Sequence, residues 1–170
     1  MMAARPFKVL FVCMGNICRS PAAEGVLRKL AGERGLGARV VCDSAGTIAE
    51  HSGEGPDARM LKTAAERGIT LEHRARKIAP RDFEDFDLIL TMDEQNLRAV
   101  RENAPHPKDL LKVGRFADYL TQHSDREVPD PYFGRLEGFD LVLDLLEDGC
   151  NGLLDFIASG RAPRRDPAGI

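Results

Sequence analysis

The sequence predicts a single-domain α/β protein with three layers, in which an open, four-stranded parallel sheet is covered by helices on both faces. Short apolar segments, typical of buried strands, alternate along the chain with longer segments of helical periodicity. Right-handed crossovers connect strands that alternate with helices, and they produce a parallel sheet. The 170 residues, 43% of them hydrophobic, suit one core. We expect residues 1–160 to form the domain and residues 161–170 to form a flexible tail.

The first half of the chain predicts two pairs of a strand and a helix. The β-branched apolar run at residues 9–12 predicts the first strand, and apolar residues at helical spacing predict a helix over residues 21–34. Gly35 and Gly37 end this helix. Residues 39–42 predict the second strand, and Pro56 marks the start of a second helix that runs to about Gly68.

The second half of the chain continues the alternation. Residues 86–91 predict the third strand, Asp93 is a suitable N-cap for a helix over residues 94–101, and residues 110–113 predict the fourth strand. A final helix is expected over residues 138–159, where Cys150 belongs to an apolar stripe and is interpreted as a packing residue. The predicted arrangement is the doubly wound, flavodoxin-like one, which binds ligands at the carboxyl ends of its strands.

Composition argues against several kinds of partner. The net charge is −3 and basic residues are interspersed with acidic ones, so no nucleic-acid partner is expected. No apolar run reaches the roughly 20 residues that a membrane-spanning helix needs, which predicts no membrane insertion and a cytoplasmic location. The four cysteines show neither a secretory context nor zinc-finger spacing, so we expect free thiols and no metal.

The most informative segment reads CMGNICRSP at residues 13–21, between the first strand and the first helix. The cysteine and the arginine are separated by five residues, so the loop can curl with its backbone N–H groups pointing inward, and the helix N-terminus adds positive potential. Cys13 would lie at the floor of this hollow, where these dipoles and Arg19 favour its thiolate. Gly15 allows close approach of the backbone, and Asn16 tolerates unusual dihedral angles. This pattern predicts a nucleophile inside an oxyanion site, with Arg19 binding two oxygens at once.

A second segment supplies a candidate general acid. A thiolate that attacks phosphorus expels an alkoxide or phenoxide, and that leaving group needs a proton. Asp130 lies between two prolines in VPDPYFG at residues 128–134, so its carboxyl group is held in a stiff loop, and Tyr132 offers an aromatic wall. On these residues alone an ordinary turn is an equally good interpretation.

Taken together, these segments resemble the low-molecular-weight protein tyrosine phosphatases over nearly the whole chain. The matching segments are CMGNICRSP at 13–21, DSAGT at 43–47, HRAR at 73–76, FDLIL at 86–90, Met92 and Asp93 with Asn96 and Leu97, DPY at 130–132, and VLDLLEDGC at 142–150. The resemblance implies hydrolysis of protein phosphotyrosine, and of small aryl phosphates, through a cysteinyl-phosphate. Inorganic phosphate would be the product, no cofactor would be needed, and the protein would be a monomer or a weak homodimer.

The resemblance also implies roles for individual residues. Cys13 is the implied nucleophile, Arg19 the phosphate clamp, Ser20 the hydrogen-bond partner of the thiolate, and Asp130 first the general acid and then the general base. The remaining implied roles are phosphate or substrate binding by Met14, Gly15, Asn16, Ile17, Cys18, Arg19, Glu50 and Tyr132, support of the loop by Asn16, Ser44 and His73, and trapping of oxidised Cys13 as a disulfide by Cys18.

Two positions depart from the family pattern or bear on related activities. Glu50 stands where the family usually has an aromatic wall residue, which weakens stacking on an aryl ring by roughly 0.5–1.5 kcal/mol and disfavours acidic peptides. Ile17 stands where protein arginine phosphatases carry threonine, and its bulk favours a phenyl ring.

Arsenate reductases of this fold need additional cysteines in the middle of the chain, and there are none between Cys42 and Cys150. A non-catalytic phosphate-binding module is a further alternative, although both Cys13 and Asp130 are present.

Overall fold

The computed structural model describes residues 5–160. The expected tail at residues 161–170 lies outside the described residues. The elements in chain order are β1 (Phe7–Cys13), α1 (Arg19–Glu33), β2 (Val40–Gly46), α2 (Ala58–Glu66), α3 (Asp82–Asp85), β3 (Leu88–Thr91), α4 (Glu94–Asn103), a 3₁₀ helix (Pro107–Lys112), β4 (Val113–Arg115), a second 3₁₀ helix (Phe116–Tyr119) and α5 (Glu137–Ala158).

The four strands form one parallel sheet with the order β2-β1-β3-β4. β1 pairs along its whole length with β2, from Phe7 opposite Val40 to Cys13 opposite Gly46. On its other side β1 pairs with β3, and β3 pairs with β4. The predicted open, four-stranded parallel sheet is confirmed. Because the chain leaves β1 toward β2 on one side and later returns to β3 on the other, a crevice opens at the carboxyl end of β1.

Alternate residues of β1 face two separate hydrophobic cores. Val9 and Phe11 pack with apolar residues of α1, α2 and α5 on one face of the sheet. Leu10 and Val12 point to the opposite face, where they pack with residues of α3 and α4 such as Phe83. A strand that is apolar on both faces is buried between two helical layers. The sheet is therefore covered on both faces, as the sequence predicts, and Cys150 is fully buried in the first core.

The fourth strand lies further along the chain than the prediction over residues 110–113. The apolar pair Leu110 and Leu111 belongs to the 3₁₀ helix that begins at Pro107, and strand pairing starts only at Val113, opposite Ile89. The Asp109 carboxylate accepts the N–H of His106 at 3.0 Å and stabilises this tight turn. The short apolar run was misread as a strand because periodicity alone does not separate a strand from a helical turn.

Two other boundaries shift in ways that matter for the site. β2 continues beyond residue 42 because its next four residues pair with the end of β1, which carries Ser44 and Gly46 to the crevice. α2 begins after Pro56 because the Asp57 side chain accepts the N–H groups of Arg59 and Met60 and caps the helix. Within residues 5–160, no helix is long and apolar enough to cross a membrane.

Candidate active site

The loop between β1 and α1 surrounds the sulfur of Cys13. The side chain is only 3% exposed and lies in the wall of a cavity of about 240 Å³ at the carboxyl end of the sheet. The Asn16 N–H donates to Sγ at 3.3 Å, and Ser20 Oγ lies 3.0 Å from Sγ. Asn16 Nδ2 donates to the same Ser20 oxygen, so the hydroxyl hydrogen is available to the sulfur at 3.0 Å or to the more distant Ala45 carbonyl at 3.4 Å. A negative charge on sulfur therefore has two donors in place, beside the positive end of α1.

Asn16 holds the shape of this loop. Its backbone has φ of 59°, in the left-handed region, and its side chain is buried. Nδ2 donates to Ser20 Oγ at 2.8 Å and to Ser44 Oγ at 3.0 Å. Oδ1 accepts the backbone N–H of Arg76 at 3.0 Å and lies 2.8 Å from His73 Nε2. Because Oδ1 can only accept, His73 carries its proton on Nε2.

A buried carboxylate that sequence reasoning missed completes the support. Glu24 of α1 accepts the hydroxyl of Ser44 at 2.8 Å and lies 3.3 Å from His73 Nδ1. Burial raises the pKa of Glu24 and lowers the pKa of His73, so both groups are driven toward their neutral forms. The sequence did contain one indication of this role: Glu24 lies four residues after Ser20, so both side chains are on one face of the helix.

The same region contains the one group of side chains in residues 5–160 with the composition of a metal site. Ligand atoms of Glu24, Asp43 and His73 lie within 4.8 Å of one another. Each carboxylate already has an arginine partner, Arg28 for Glu24 and Arg76 for Asp43, the latter at 3.2 Å. Both carboxylates are thus already satisfied by arginines, and the three groups act as a hydrogen-bonded support for the loop.

Arg19 is held from behind by groups on other elements. Its side chain is 3% exposed, and Nη1 donates to Asp93 Oδ2 at 2.7 Å and to the carbonyl of Val128 at 3.0 Å. Burial opposes its charge, but the sulfur of Cys13 and the carboxylate of Asp93 raise the pKa of Arg19. The N-cap predicted at Asp93 is confirmed, since Oδ1 accepts the N–H of Asn96, and its second oxygen has an orienting role that the sequence did not reveal.

Asp130 occupies the rim of the same cavity. Its side chain is 43% exposed, and Oδ2 lies 3.6 Å from Arg19 Nη2. Oδ1 accepts the N–H of Tyr132 at 3.0 Å, which ties the carboxylate to its own loop. Cys13, Arg19 and Asp130 thus meet in one cavity although 111 positions separate Arg19 from Asp130 in the chain. The cavity therefore brings a thiol, a guanidinium and a carboxyl group within reach of one ligand.

Comparison with known proteins agrees with this geometry. The family model described as low molecular weight phosphotyrosine protein phosphatase matches residues 8–162. The chain belongs to this family. A relative from Synechocystis is 50% identical over 147 residues, which cover 86% of this chain and 94% of the relative. The low molecular weight protein-tyrosine-phosphatase of Streptomyces coelicolor is 43% identical over 150 residues, with coverage of 87% and 92%.

The fold of this phosphatase is equally similar to solved structures of the family. A protein tyrosine phosphatase from Entamoeba histolytica with Hepes in its active site superposes with a TM-score of 0.88 at 40% identity, covering 91% of this chain and 98% of the other. A structure described as an arginine phosphatase from Drosophila superposes with a TM-score of 0.85 at 34% identity, covering 91% and 100%. Fold similarity alone therefore does not separate tyrosine from arginine substrates.

The mouth of the phosphatase cavity combines apolar and charged groups. Glu50 and Tyr132 both line it, as predicted from the sequence. His51, which sequence reasoning did not assign to the site, also lines it, with its ring centroid 6.2 Å from that of Tyr132. Phe133 projects outward and is 94% exposed. An aromatic ring is thus present beside Glu50, one position after the place where the family pattern puts it.

The structure brings together the residues predicted for the phosphatase site. Those that line the cavity are Cys13, Met14, Gly15, Ile17, Cys18, Arg19, Glu50, Asp130 and Tyr132. Asn16, Ser20, Ser44 and His73 lie behind the loop and are linked by the hydrogen bonds described above. Asn16 was expected both to bind phosphate and to support the loop, and its side chain lies among the groups that support the loop. Glu24, His51 and Asp93 were missed because their roles depend on contacts between distant segments.

Proposed function

We propose that this protein-tyrosine phosphatase uses Cys13, Arg19 and Asp130 to hydrolyse phosphotyrosine through a cysteinyl-phosphate. The observation that carries the proposal is the convergence of these three groups on one cavity, with Cys13 in its wall and Asp130 at its rim. Phosphate oxygens placed over the loop would meet backbone N–H groups and the Arg19 guanidinium. A phenyl ring would extend outward past Ile17 toward Tyr132 and His51.

In the first step, Cys13 Sγ attacks phosphorus and forms the S–P bond while the P–O bond to the phenol breaks. Asp130, protonated at this stage, gives its proton to the departing oxygen. Arg19 binds two equatorial oxygens as negative charge spreads over them, and Asp93 keeps its guanidinium in place. The Ser20 hydroxyl stabilises the thiolate before attack.

In the second step, a water molecule attacks phosphorus and Asp130, now ionised, takes its proton. The S–P bond breaks, inorganic phosphate is released, and Cys13 returns as a thiolate stabilised by Ser20 and the Asn16 N–H. Every group in both steps comes from one chain, which supports a monomer, or a weak homodimer, as the active species. The four free cysteines of the chain support a reducing, cytoplasmic location.

Cys18 supports a further element of the proposal, reversible protection from oxidation. It lines the cavity together with Cys13, and burial raises its pKa, so it is a neutral thiol. Peroxide oxidises the Cys13 thiolate to a sulfenic acid, and attack by the Cys18 sulfur forms a disulfide and releases water. A reductant then restores both thiols.

Hydrolysis of matched phosphotyrosine, phosphoserine and phosphoarginine peptides tests the proposed substrate class. Wild type is expected to release phosphate from phosphotyrosine without added metal, Cys13→Ser to release none, and Cys150→Ala, which changes a buried thiol of α5, to behave as wild type. Preference for phosphoarginine would show that the bulk of Ile17 does not select the phenyl ring. Turnover by Cys13→Ser would refute the mechanism. Binding without turnover by wild type would support the binding-module alternative.

A further inference from the structure

We propose that Arg59, on α2, is a positioning residue for the general acid: its guanidinium holds the Asp130 loop over the cavity and keeps the carboxyl group in place for proton donation. The inference rests on the proposed function of Asp130. Arg59 is not among the residues that line the cavity, so it acts on the loop and not on the phosphate.

The guanidinium of Arg59 lies between the acid loop and the final helix. Its Cζ atom is 5.4 Å from the ring centroid of Tyr132 and 4.8 Å from the ring centroid of Phe139. Tyr132 follows Asp130 by two residues, and Phe139 is fully buried in α5. A planar cation against two aromatic rings forms cation–π contacts with both. The downstream end of the acid loop is therefore attached to α5 through Arg59.

The position of Arg59 is itself fixed. Its Nε donates to Asp57 Oδ1 at 3.1 Å and its Nη2 donates to Oδ2 at 2.9 Å, a bidentate pair. Burial opposes ionisation of Asp57, but hydrogen bonds from Arg59 lower its pKa, so the pair is charged. The backbone N–H of Asp57 also donates to the carbonyl of Ile17 at 2.8 Å. A continuous chain of contacts thus runs from the nucleophile loop through Asp57 and Arg59 to Tyr132.

The acid loop is held on both sides of Asp130. Upstream of Asp130, Val128 is buried, donates its N–H to the carbonyl of Met92 and accepts from Arg19. Downstream, Pro131 is buried and Phe133 is 94% exposed. The Tyr132 ring contacts both His51 and Arg59, so Arg59 is one of the groups that restrain this side. The Tyr132 N–H donates to the Asp130 carboxylate, so displacement of Tyr132 displaces the acid.

This arrangement predicts a loss that depends on the leaving group. A poor leaving group needs the proton from Asp130, whereas p-nitrophenolate is stable as an anion and leaves without one. If Arg59 only positions Asp130, its removal slows cleavage of phenyl phosphate and spares p-nitrophenyl phosphate. A lysine keeps the charge but lacks the planar, bidentate geometry, so it restores the function only in part.

The experiment measures kcat/KM for both aryl phosphates with wild type, Arg59→Ala, Arg59→Lys and, as a matched control, Lys62→Ala at an exposed position of the same helix. General acid assistance is worth about 10²–10⁴-fold, and we expect Arg59→Ala to lose about tenfold on phenyl phosphate relative to p-nitrophenyl phosphate. Arg59→Lys is expected to lie between, and Lys62→Ala to match wild type.

A double-mutant cycle separates positioning from damage to the fold. In an Asp130→Asn background, Arg59→Ala is expected to cause no further loss on phenyl phosphate, because the group that it positions is gone. Equal losses on both substrates, a wild-type ratio in Arg59→Ala, or a full additional loss in the Asp130→Asn background would overturn the proposal. Failure of the proposed function would be seen separately, as turnover by Cys13→Ser.

Discussion

Replacement of Asn16 by alanine removes the side chain that links the nucleophile loop to its support. Four hydrogen bonds disappear together, two donated by Nδ2 to Ser20 and Ser44 and two accepted by Oδ1 from His73 and the Arg76 N–H. At about 0.5–1.5 kcal/mol each, their loss lowers the free energy of unfolding by about 2–6 kcal/mol. The left-handed backbone at this position adds about 1–2 kcal/mol of strain for alanine.

The loss should appear in catalysis as well as in stability, because the Asn16 N–H donates to the Cys13 sulfur and the same side chain orients Ser20. If about 2 kcal/mol of this loss appears as weaker stabilisation of the transition state by the loop, kcat/KM falls about 30-fold. Urea denaturation and phosphotyrosine hydrolysis measure the two effects in the same preparations.

Asn16→Gly is the matched control, since glycine adopts a positive φ without strain but makes none of the four hydrogen bonds. We expect it to be more stable than Asn16→Ala and nearly as slow. Wild-type kcat/KM in both variants would refute the argument that these hydrogen bonds shape the loop. A large deficit in the alanine variant with a wild-type glycine variant would show that backbone strain, and not the hydrogen bonds, is what matters.

Three further predictions concern other parts of the molecule. Gly46→Ala places a Cβ 2.6 Å from the Met14 carbonyl and should lower kcat/KM about tenfold or more; Gly32→Ala, with open space around it, is the control, and equal activity in both would contradict this reading. Burial opposes ionisation of Asp148, but hydrogen-bond donors from residues 121–123 lower its pKa. The ionised Asp148 therefore stabilises the folded protein fully above the ordinary pKa of 3.8, and this stabilisation is lost as pH falls toward the lower pKa of the folded state. The urea midpoint should therefore fall less between pH 7 and about pH 3 in Asp148→Asn than in wild type, and equal falls would exclude this origin of acid sensitivity. Peroxide should produce a linkage between Cys13 and Cys18 on non-reducing analysis, and Cys18→Ser should lose activity irreversibly; activity that dithiothreitol restores in Cys18→Ser would contradict a protective role.

Much of the fold was predictable because its signals are local. The strand and helix on either side of the nucleophile loop follow from an apolar run and from helical spacing within about 25 residues, and both are present. The fourth strand was misplaced for the same reason. Leu110 and Leu111 suit a strand locally, and only pairing of Val113 with Ile89 across the sheet shows where the strand begins.

In the candidate site, too, the features that depend on neighbouring residues were predictable and those that depend on distant residues were not. The nucleophile loop was predictable from the sequence, because a cysteine, five residues and an arginine between a strand and a helix are consecutive residues that suit an anion site. The support of that loop and the orientation of its arginine depend instead on contacts between elements. Apart from Ser20, the hydrogen-bond and ion-pair partners of the Asn16 and Arg19 side chains lie 28 to 111 positions away, and the local sequence around Asp93 indicates a helix cap but not its contact with Arg19. Spacing along the chain encodes contacts within one turn or loop, whereas contacts between elements exist only after the sheet has brought the carboxyl ends of its strands together.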